Sequence, residues 1–558
     1  MSEQQRMLNW WAEGDFPVHT DSRVTYLVDG RVAMLTMCRH FLKARKYIYL
    51  ANWGITPDIQ LVRGKDHIAG PEGSPEQEAL LEELRGEGLQ EDEIRFWITN
   101  ELTLKAVLGY KVSQGVEVKV LVWDSNEFFS HCNPKEAHEE LKAVGVQSIL
   151  DDSSRGLLHH PIESLHQKIS VVDGTHAFVG GIDLLIELSG DFDRWDVPMH
   201  HYAYELRKGK NNVIPHPWHD AHAIIEGPAV ADVEKNFRQR WNDVVERHEL
   251  SSELVVPEHP VTAPIKSNSI VQLARTIPEH TYSFSPKNGI QGIAQLYAHA
   301  LANVNNFVYL ENQYFWLHAY YGVDIAALGP DSSDMELNIR ELGAALRRGA
   351  TMSIVLPDHP NVGRGFTDAG LARLRQEAPE AAAQGRIQAF CLGTSINRDG
   401  ATHYRPIYVH AKVAVIDDVW STLGSGNLNN RGMRDDTEMN VAVLDAELAQ
   451  GLRLMLMAEH LSMFDEDDLF IVARHIGHQY QRQSTDERAK EIWQTLRERL
   501  GDPLVGLQMM VERAQENLQR FKAGQPLVGH LLPYLSAEEA KAQGLKFSEE
   551  HGWIEAYM

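Results

Sequence analysis

Cysteine is scarce in this 558-residue chain: Cys38, Cys132 and Cys391 lie far apart and form no CxxC pair. That argues against a disulfide framework or a cysteine-based zinc site and fits a reducing compartment. Long apolar runs are also missing, and none approaches the roughly 20 residues that a membrane-spanning helix needs. The opening MSEQQRMLNWWAEGDF has no basic stretch followed by an apolar one. No secretory signal peptide is therefore expected, and the chain reads as cytoplasmic as synthesised. Basic charge is in deficit, with 53 Lys and Arg against 78 Asp and Glu, a formal net charge of −25. Such an excess opposes non-specific binding to nucleic acid or to anionic membrane surfaces, so no nucleic-acid partner is expected, although a small basic pocket inside an acidic shell is compatible with it.

What is present is a soluble, globular composition, 43% hydrophobic and 8% aromatic, long enough for two to four units. Helical and strand-like segments alternate, which points to an α/β class. The strongest organising signal is an internal repeat. HQKISVVDGTHAFVGGIDL (166–184) aligns without a gap on HAKVAVIDDVWSTLGSGNL (410–428). Upstream, RVAMLTMCRHFLKARKYIYLANW corresponds to GIAQLYAHALANVNNFVYLENQYFW, and GVEVKVLVWD to GATMSIVLPD, in the same order. The expected architecture is two similar lobes related by a pseudo-twofold, each a mixed β-sheet flanked by helices. The lobes are placed at 22–258 and 259–470, after an N-terminal segment 1–21. The Pro-rich stretch VVPEHPVTAPIKSNS joins them, and a charged insertion at 62–95 reads as a surface excursion with one short helix. A helical C-terminal extension covers 471–558. In it Leu507, Met510, Val511, Ala514, Leu518 and Phe521 share one helical face and are expected to dock on the lobes.

In a strand, alternate side chains share a face, so His166 and Lys168 point together, as do His410 and Lys412. Asp173 and Asp417 fall at an odd offset and read as turn- and strand-anchoring groups. Asp173-Gly174 is a hairpin signal, and the glycines at 180, 181 and 424 let a neighbouring backbone or a ligand come close. A lone H-x-K means little; two copies in register, each with Asp seven residues and Gly fourteen residues after the His, mean a great deal. Transfer at a phosphodiester needs a nucleophile, an acid for the leaving oxygen and positive charge for the non-bridging oxygens. Two histidines supply the first two; two lysines and an amide such as Asn427 supply the third. No metal and no cofactor is called for.

These motifs, H-x-K-x4-D followed by x6-G-[GS], resemble the duplicated HKD motif of the phospholipase D superfamily. GGIDLLIELSGDFDRWD, PWHDAHAIIEGPAVADVEKNFRQRWN, VYLENQYF and GSGNLNNRGMRDDTEMNV are similar to blocks of its eukaryotic-type members. The resemblance covers roughly 25–465. It implies a catalytic set of His166, Lys168, Asp173, His410, Lys412 and Asp417, with His166 attacking phosphorus to form a phosphohistidine and His410 protonating the leaving alcohol. Asp183, Ser425 and Asn427 join as phosphate-binding or orienting groups. Asp196 lies 30 residues after His166 and Glu438 lies 28 after His410. That similar placement assigns each carboxylate to the other ring nitrogen of its own histidine.

HPWHDAH raises a metal site from His216, His219 and His222, but Pro217 and the β-branched residues that follow favour a strand. His219 and Asp220 are read as pocket framework, with Trp195 and Gln313 as further pocket candidates. Of the aromatics near the strands, Trp53, Trp123, Trp195, Trp218, Tyr314 and Trp316, some are expected to line a lipid headgroup or acyl entrance and most to lie in the core. The expected partner is a glycerophospholipid, phosphatidylcholine or phosphatidylethanolamine, met by peripheral membrane contact. The expected reaction is hydrolysis or alcohol transfer giving phosphatidate. The rivals are a nuclease, a phosphatidyltransferase and a non-catalytic lipid-binding protein. A compact acidic chain with these features also resembles lipase effectors that bacteria deliver through contractile secretion machines, which implies non-classical export.

Overall fold

The computed structural model describes residues 10–125, 131–154, 163–210, 213–320, 328–359, 363–476, 487–549 and 551–554. The first nine residues, part of the stretch read for a signal peptide, lie outside them. The first sheet has seven strands: β1 (Arg23–Val28), β2 (Tyr47–Asn52), β3 (Glu117–Trp123), β4 (Gln147–Asp151), β5 (Ile169–Val172), β6 (His176–Gly180) and β7 (Ala221–Glu226). Their spatial order is β1-β7-β6-β5-β2-β3-β4, with β2, β3 and β4 mutually parallel and the other pairs antiparallel.

The second sheet repeats this plan with β8 (Ile270–Ile277), β9 (Phe307–Asn312), β10 (Thr351–Val355), β11 (Ile387–Arg398), β12 (Ala401–Val409), β13 (Lys412–Ile416), β14 (Trp420–Gly424) and β15 (Glu438–Leu444). Its order, β8-β15-β14-β13-β9-β10-β11, is that of the first sheet element for element, and β12 is an additional hairpin partner of β11. Short strands from elsewhere extend it: Val18–His19 on β8, Trp218–His219 on β12 and Leu531–Pro533 on β11. The C-terminal extension thus contributes a strand as well as helices.

Both hairpins form for the reason their sequences suggest. Asp173 and Gly174 have φ of 55° and 68°, and Asp417 and Asp418 have 51° and 52°. Positive φ at both central residues is the turn whose twist matches the strands it joins. Each leading aspartate also ties the turn to the strand beside it. Asp173 accepts from the backbone N–H of Arg45, Lys46 and Tyr47 at 2.7–2.9 Å, and Asp417 from those of Asn305, Asn306 and Phe307 at 2.8 Å.

The lobes meet through strands β6 and β7 of one and β14 and β15 of the other, and one hydrophobic core runs across the join. The helix Ala446–His460, capped by Asp445, is buried nearly all round in that core, as a helix apolar on most of its surface must be. The helix Pro503–Lys522 buries Leu507, Met510, Ala514, Leu518 and Phe521, while Val511 lies at the edge of that face. The insertion holds the helix Pro75–Gly86 and leads into a second, Glu91–Thr99; Leu80, Leu84 and Leu89 are buried, so it packs on the lobe rather than standing off it. Among the described residues, no helix is long and apolar enough to cross a membrane.

Candidate active site

The polypeptide just before each HKD strand crosses to the other lobe. Residues Ser164 and His166 pair with Thr437: His166 N–H donates to Thr437 C=O at 2.9 Å, and Thr437 N–H to Ser164 C=O at 2.9 Å. In the second lobe, Tyr408 and His410 donate to Pro217 and His219 C=O at 2.9 and 2.8 Å. These crossed pairings bring the two rings to 6.4 Å between centroids, nearly edge to face. The residue after each crossing partner is a carboxylate, and it meets the opposite lobe's histidine. Glu438 places both carboxylate oxygens 3.0 Å from His166 Nδ1. Asp220 lies 2.7 Å from His410 Nδ1.

This corrects the pairing drawn from spacing. Glu438 serves His166 rather than His410, and the other acid is Asp220 rather than Asp196. Asp196 is fully buried away from both catalytic-motif histidines. It accepts from Trp218 N–H at 2.8 Å and meets His200 and Arg207, each at 3.2 Å. The physical reason is topological. Glu438 opens β15, and Asp220 immediately precedes β7, its counterpart in the strand order. The excursion between β6 and β7 in the first lobe is longer than that between β14 and β15, so equal spacing selects the wrong acid.

The glycines at the end of β6 and β14 make room for these strands. A Cβ on Gly181 would lie 2.1 Å from Asp220 Oδ1, and one on Gly424 would lie 2.2 Å from Asn440 Oδ1 and 2.4 Å from Met439 O. Ser425 closes the same edge, its Oγ accepting from Met439 N–H at 3.0 Å.

Both lysines are buried against the histidine of their own motif. Lys168 Nζ donates to His166 C=O at 2.7 Å and meets Asp183 at 3.3 Å, and Asp183 is itself held by Gly54 N–H. Lys412 Nζ donates to His410 C=O and to Gln313 Oε1, the latter at 3.1 Å; Gln313 also accepts from Asn427 Nδ2 at 3.2 Å. Trp53 flanks His166 with ring centroids 6.0 Å apart, and Trp218 flanks His410 at 4.8 Å. Arg194 stacks on Trp218, its guanidinium carbon 3.6 Å from the ring centroid. The sequence left open which of the aromatics near the strands line the site; Trp53 and Trp218 do, and Arg194, which lies in the RWD segment, was given no role.

Four expected members sit elsewhere. Trp195 is a core residue, 1% exposed, stacked on Tyr204 and under Arg63. His219 points away from the histidine pair into a buried cluster with Asp29, Glu311 and Glu459. The carboxylates of Asp173 and Asp417 are spent on backbone N–H groups at the turns, so they anchor the motif strands rather than reach a reacting atom.

The electrostatics suit a phosphodiester. Burial first, and then the nearby Lys168 and Lys412, hold the imidazoles of His166 and His410 well below their ordinary pKa. Burial also pushes Lys412 down to about 7, Lys168 adding to the push and Asp220 opposing it. Burial raises the carboxyl groups of Glu438 and Asp220. Cations crowded in a dry site gain from an anion placed among them. With each Nδ1 engaged by a carboxylate, Nε2 is the ring nitrogen left for chemistry, and the acid fixes that tautomer. Such a pair can place one neutral nucleophile and one proton donor on opposite sides of a phosphorus atom.

Comparison with known proteins finds related sequences. Residues 92–323 match the family model described as Phospholipase D, and residues 313–456 match Cardiolipin synthase, PLD-like domain. Similar curated proteins include phospholipase D alpha 1 of Nicotiana tabacum, 25% identical over 546 residues, and of Zea mays, 26% over 542. Each alignment covers 76% of this chain and 63% of the relative, so the chain spans less than two thirds of those proteins' length. Among solved structures, phosphatidylserine synthase of Haemophilus influenzae Rd KW20 aligns with a TM-score of 0.45 and 14% identity, over 91% of this chain and 99% of that one. Two HKD motifs on one repeated strand order, together with the two family-model matches and the curated relatives, place the chain in the phospholipase D superfamily.

Proposed function

We propose that the protein is a phospholipase D-type phosphodiesterase acting on the distal ester of a glycerophospholipid. The observation that carries this is the crossed pair: a part-buried imidazole, His166, and a buried one, His410, facing each other, each backed by the other lobe's carboxylate and flanked by its own lysine. His166 Nε2 attacks phosphorus, and the bond to the headgroup oxygen breaks as His410 gives that oxygen its proton. The phosphatidyl group is then held on His166 through a P–N bond. His410, now neutral, takes a proton from water or an alcohol, whose oxygen displaces His166. Phosphatidate or a phosphatidylalcohol leaves, and both rings return to their starting state. Lys168, Lys412 and Asn427 hold the non-bridging oxygens as negative charge builds on them. Asp183 fixes Lys168, and Gln313 fixes Lys412.

The similarity to the alpha phospholipases D supports a lipid diester, with phosphatidylcholine and phosphatidylethanolamine the first substrates to try. The match of residues 313–456 to a cardiolipin synthase model supports a second reading, in which a lipid alcohol rather than water is the acceptor. His166→Ala and His410→Ala test the proposal. Each is expected to abolish release of headgroup from either lipid while the far-ultraviolet circular dichroism stays that of the parent. Substantial turnover by either variant contradicts it.

A further inference from the structure

Behind the catalytic pair, at the join of the lobes, four side chains turn a nitrogen or a carboxylate oxygen toward one point. Asp29, His200 and His219 come from the first lobe, and Glu459 from the long buried helix of the second. All four are fully buried. Nitrogen and oxygen alternate around the ring they form. His219 Nδ1 lies 2.9 Å from Glu459 Oε1, which lies 3.1 Å from His200 Nε2; His200 Nε2 lies 3.5 Å from Asp29 Oδ2, and Asp29 Oδ1 lies 3.1 Å from His219 Nδ1. A tetrahedral zinc with ligands at about 2.0–2.1 Å has donor atoms about 3.3–3.4 Å apart, inside the upper half of this range.

Two further observations point to a cation. Asp29 Oδ2 and Glu459 Oε2 are buried and accept no hydrogen bond, a costly state for carboxylate oxygens unless a positive charge serves them. In addition, the remaining ring nitrogen of each histidine already rests on its own carboxylate: His219 Nε2 lies 2.7 Å from Glu311 Oε2, and His200 Nδ1 lies 3.2 Å from Asp196 Oδ2. Carboxylates behind both imidazoles are the usual support of metal-binding histidines, fixing the tautomer and strengthening the donor nitrogen.

We propose that Asp29, His200, His219 and Glu459 form a structural site for a divalent first-row metal, zinc being the ion that two imidazoles and two carboxylates in a closed tetrahedron suit best. Two carboxylates would neutralise its charge, and its ligands would tie the first lobe to the second. The site also reaches the crossed histidines through backbone. Asp29 holds φ at 64°, its N–H donates to Asp220 C=O at 2.9 Å, and its Oδ1 accepts from Asp220 N–H at 3.2 Å. A metal here would therefore stiffen the segment that carries Asp220. HPWHDAH supplies one ligand, His219, while Asp29, His200 and Glu459 come from other parts of the chain.

Untagged full-length protein, purified without chelator, is analysed by plasma mass spectrometry and by X-ray absorption at the metal edge. The expected result is about one zinc, or one other first-row divalent ion, per chain, with nitrogen and oxygen neighbours alone. His200→Ala and Glu459→Gln are each expected to lose it. Because either variant can fail to fold, a second measurement uses the parent chain: unfolding with EDTA, then refolding in metal-free buffer with and without added zinc. Zinc is expected to raise both the folded yield and the Tm. Three results each overturn the proposal: native protein without a stoichiometric metal, a metal held by sulfur, or refolding to the same yield and Tm in both buffers. The cluster would then be a salt-bridged network of protonated histidines.

Discussion

Glu438, in the second lobe, holds Nδ1 of His166, in the first, with both carboxylate oxygens at 3.0 Å. Asp220 returns the relationship by holding His410. Neither half of the molecule therefore contains a complete histidine–carboxylate unit; each is completed by the other. Glu438→Gln keeps the shape but favours the wrong tautomer, so kcat is expected to fall about 10²–10⁴-fold with little change in KM. Asp220→Asn should behave likewise. Asp196→Asn should instead lower the Tm and affect kcat less than either, because its partners are His200, Arg207 and a backbone N–H. Steady-state kinetics and thermal melts of the three variants decide this.

The pH profile follows from the sign of the shifts. Burial and the two lysines push both imidazoles below 6.5 in the substrate-free site, and kcat/KM reports that state. Its optimum, which belongs to the coupled pair, should lie on the acid side of 6.5. A bound phosphodiester anion favours the charged rings and raises their pKa, so kcat should peak at higher pH. Removing one cation with Lys412→Met should move the kcat/KM optimum upward while lowering its height. Coincident optima for kcat and kcat/KM would contradict the electrostatic account.

Asp173 and Asp417 should matter to stability rather than chemistry. Each carboxylate serves three backbone N–H groups and sits in a left-handed conformation that Asp and Asn tolerate better than Ala. Asp173→Ala or Asp417→Ala is expected to cost about 1–3 kcal/mol by urea unfolding. Turnover per folded molecule should remain close to the parent value.

Gly181→Ala tests the packing that positions Asp220. The new Cβ would meet Asp220 Oδ1 at 2.1 Å, so the carboxylate must move off His410. A displacement of that order at a catalytic pair costs about 10²-fold in rate, read as a loss of kcat in a protein that still melts cooperatively.

The repeat was legible because strand periodicity and the HKD spacing are local properties. Equal offsets through β5 and β13, and turns at Asp173-Gly174 and Asp417-Asp418, give matching hairpins. The acid behind each histidine was not legible, because it comes from the other lobe. A spacing argument compares loop lengths within a lobe, and the long excursion before β7 shifts that count until it falls on Asp196. The buried cluster around His219 was hidden for the same reason. Its members come from residues 29, 200, 219, 311, 459 and 460, and only the packed join of the lobes makes them neighbours. Trp195 went astray in the other direction: its block suggested a pocket, while its stacking on Tyr204 and beneath Arg63 makes it core.

The most direct test of the central claim, that the crossed histidines transfer a phosphatidyl group through a covalent intermediate, is an alcohol-partition assay. Purified protein is mixed with phosphatidylcholine and phosphatidylethanolamine micelles and a primary alcohol, and the lipid products are read by mass spectrometry. Phosphatidylalcohol is expected beside phosphatidate, its share rising with alcohol concentration at constant headgroup release, and both products should vanish in His166→Ala and His410→Ala. If phosphatidate forms and phosphatidylalcohol never does, or if either variant still makes both, the covalent crossed-pair account is contradicted.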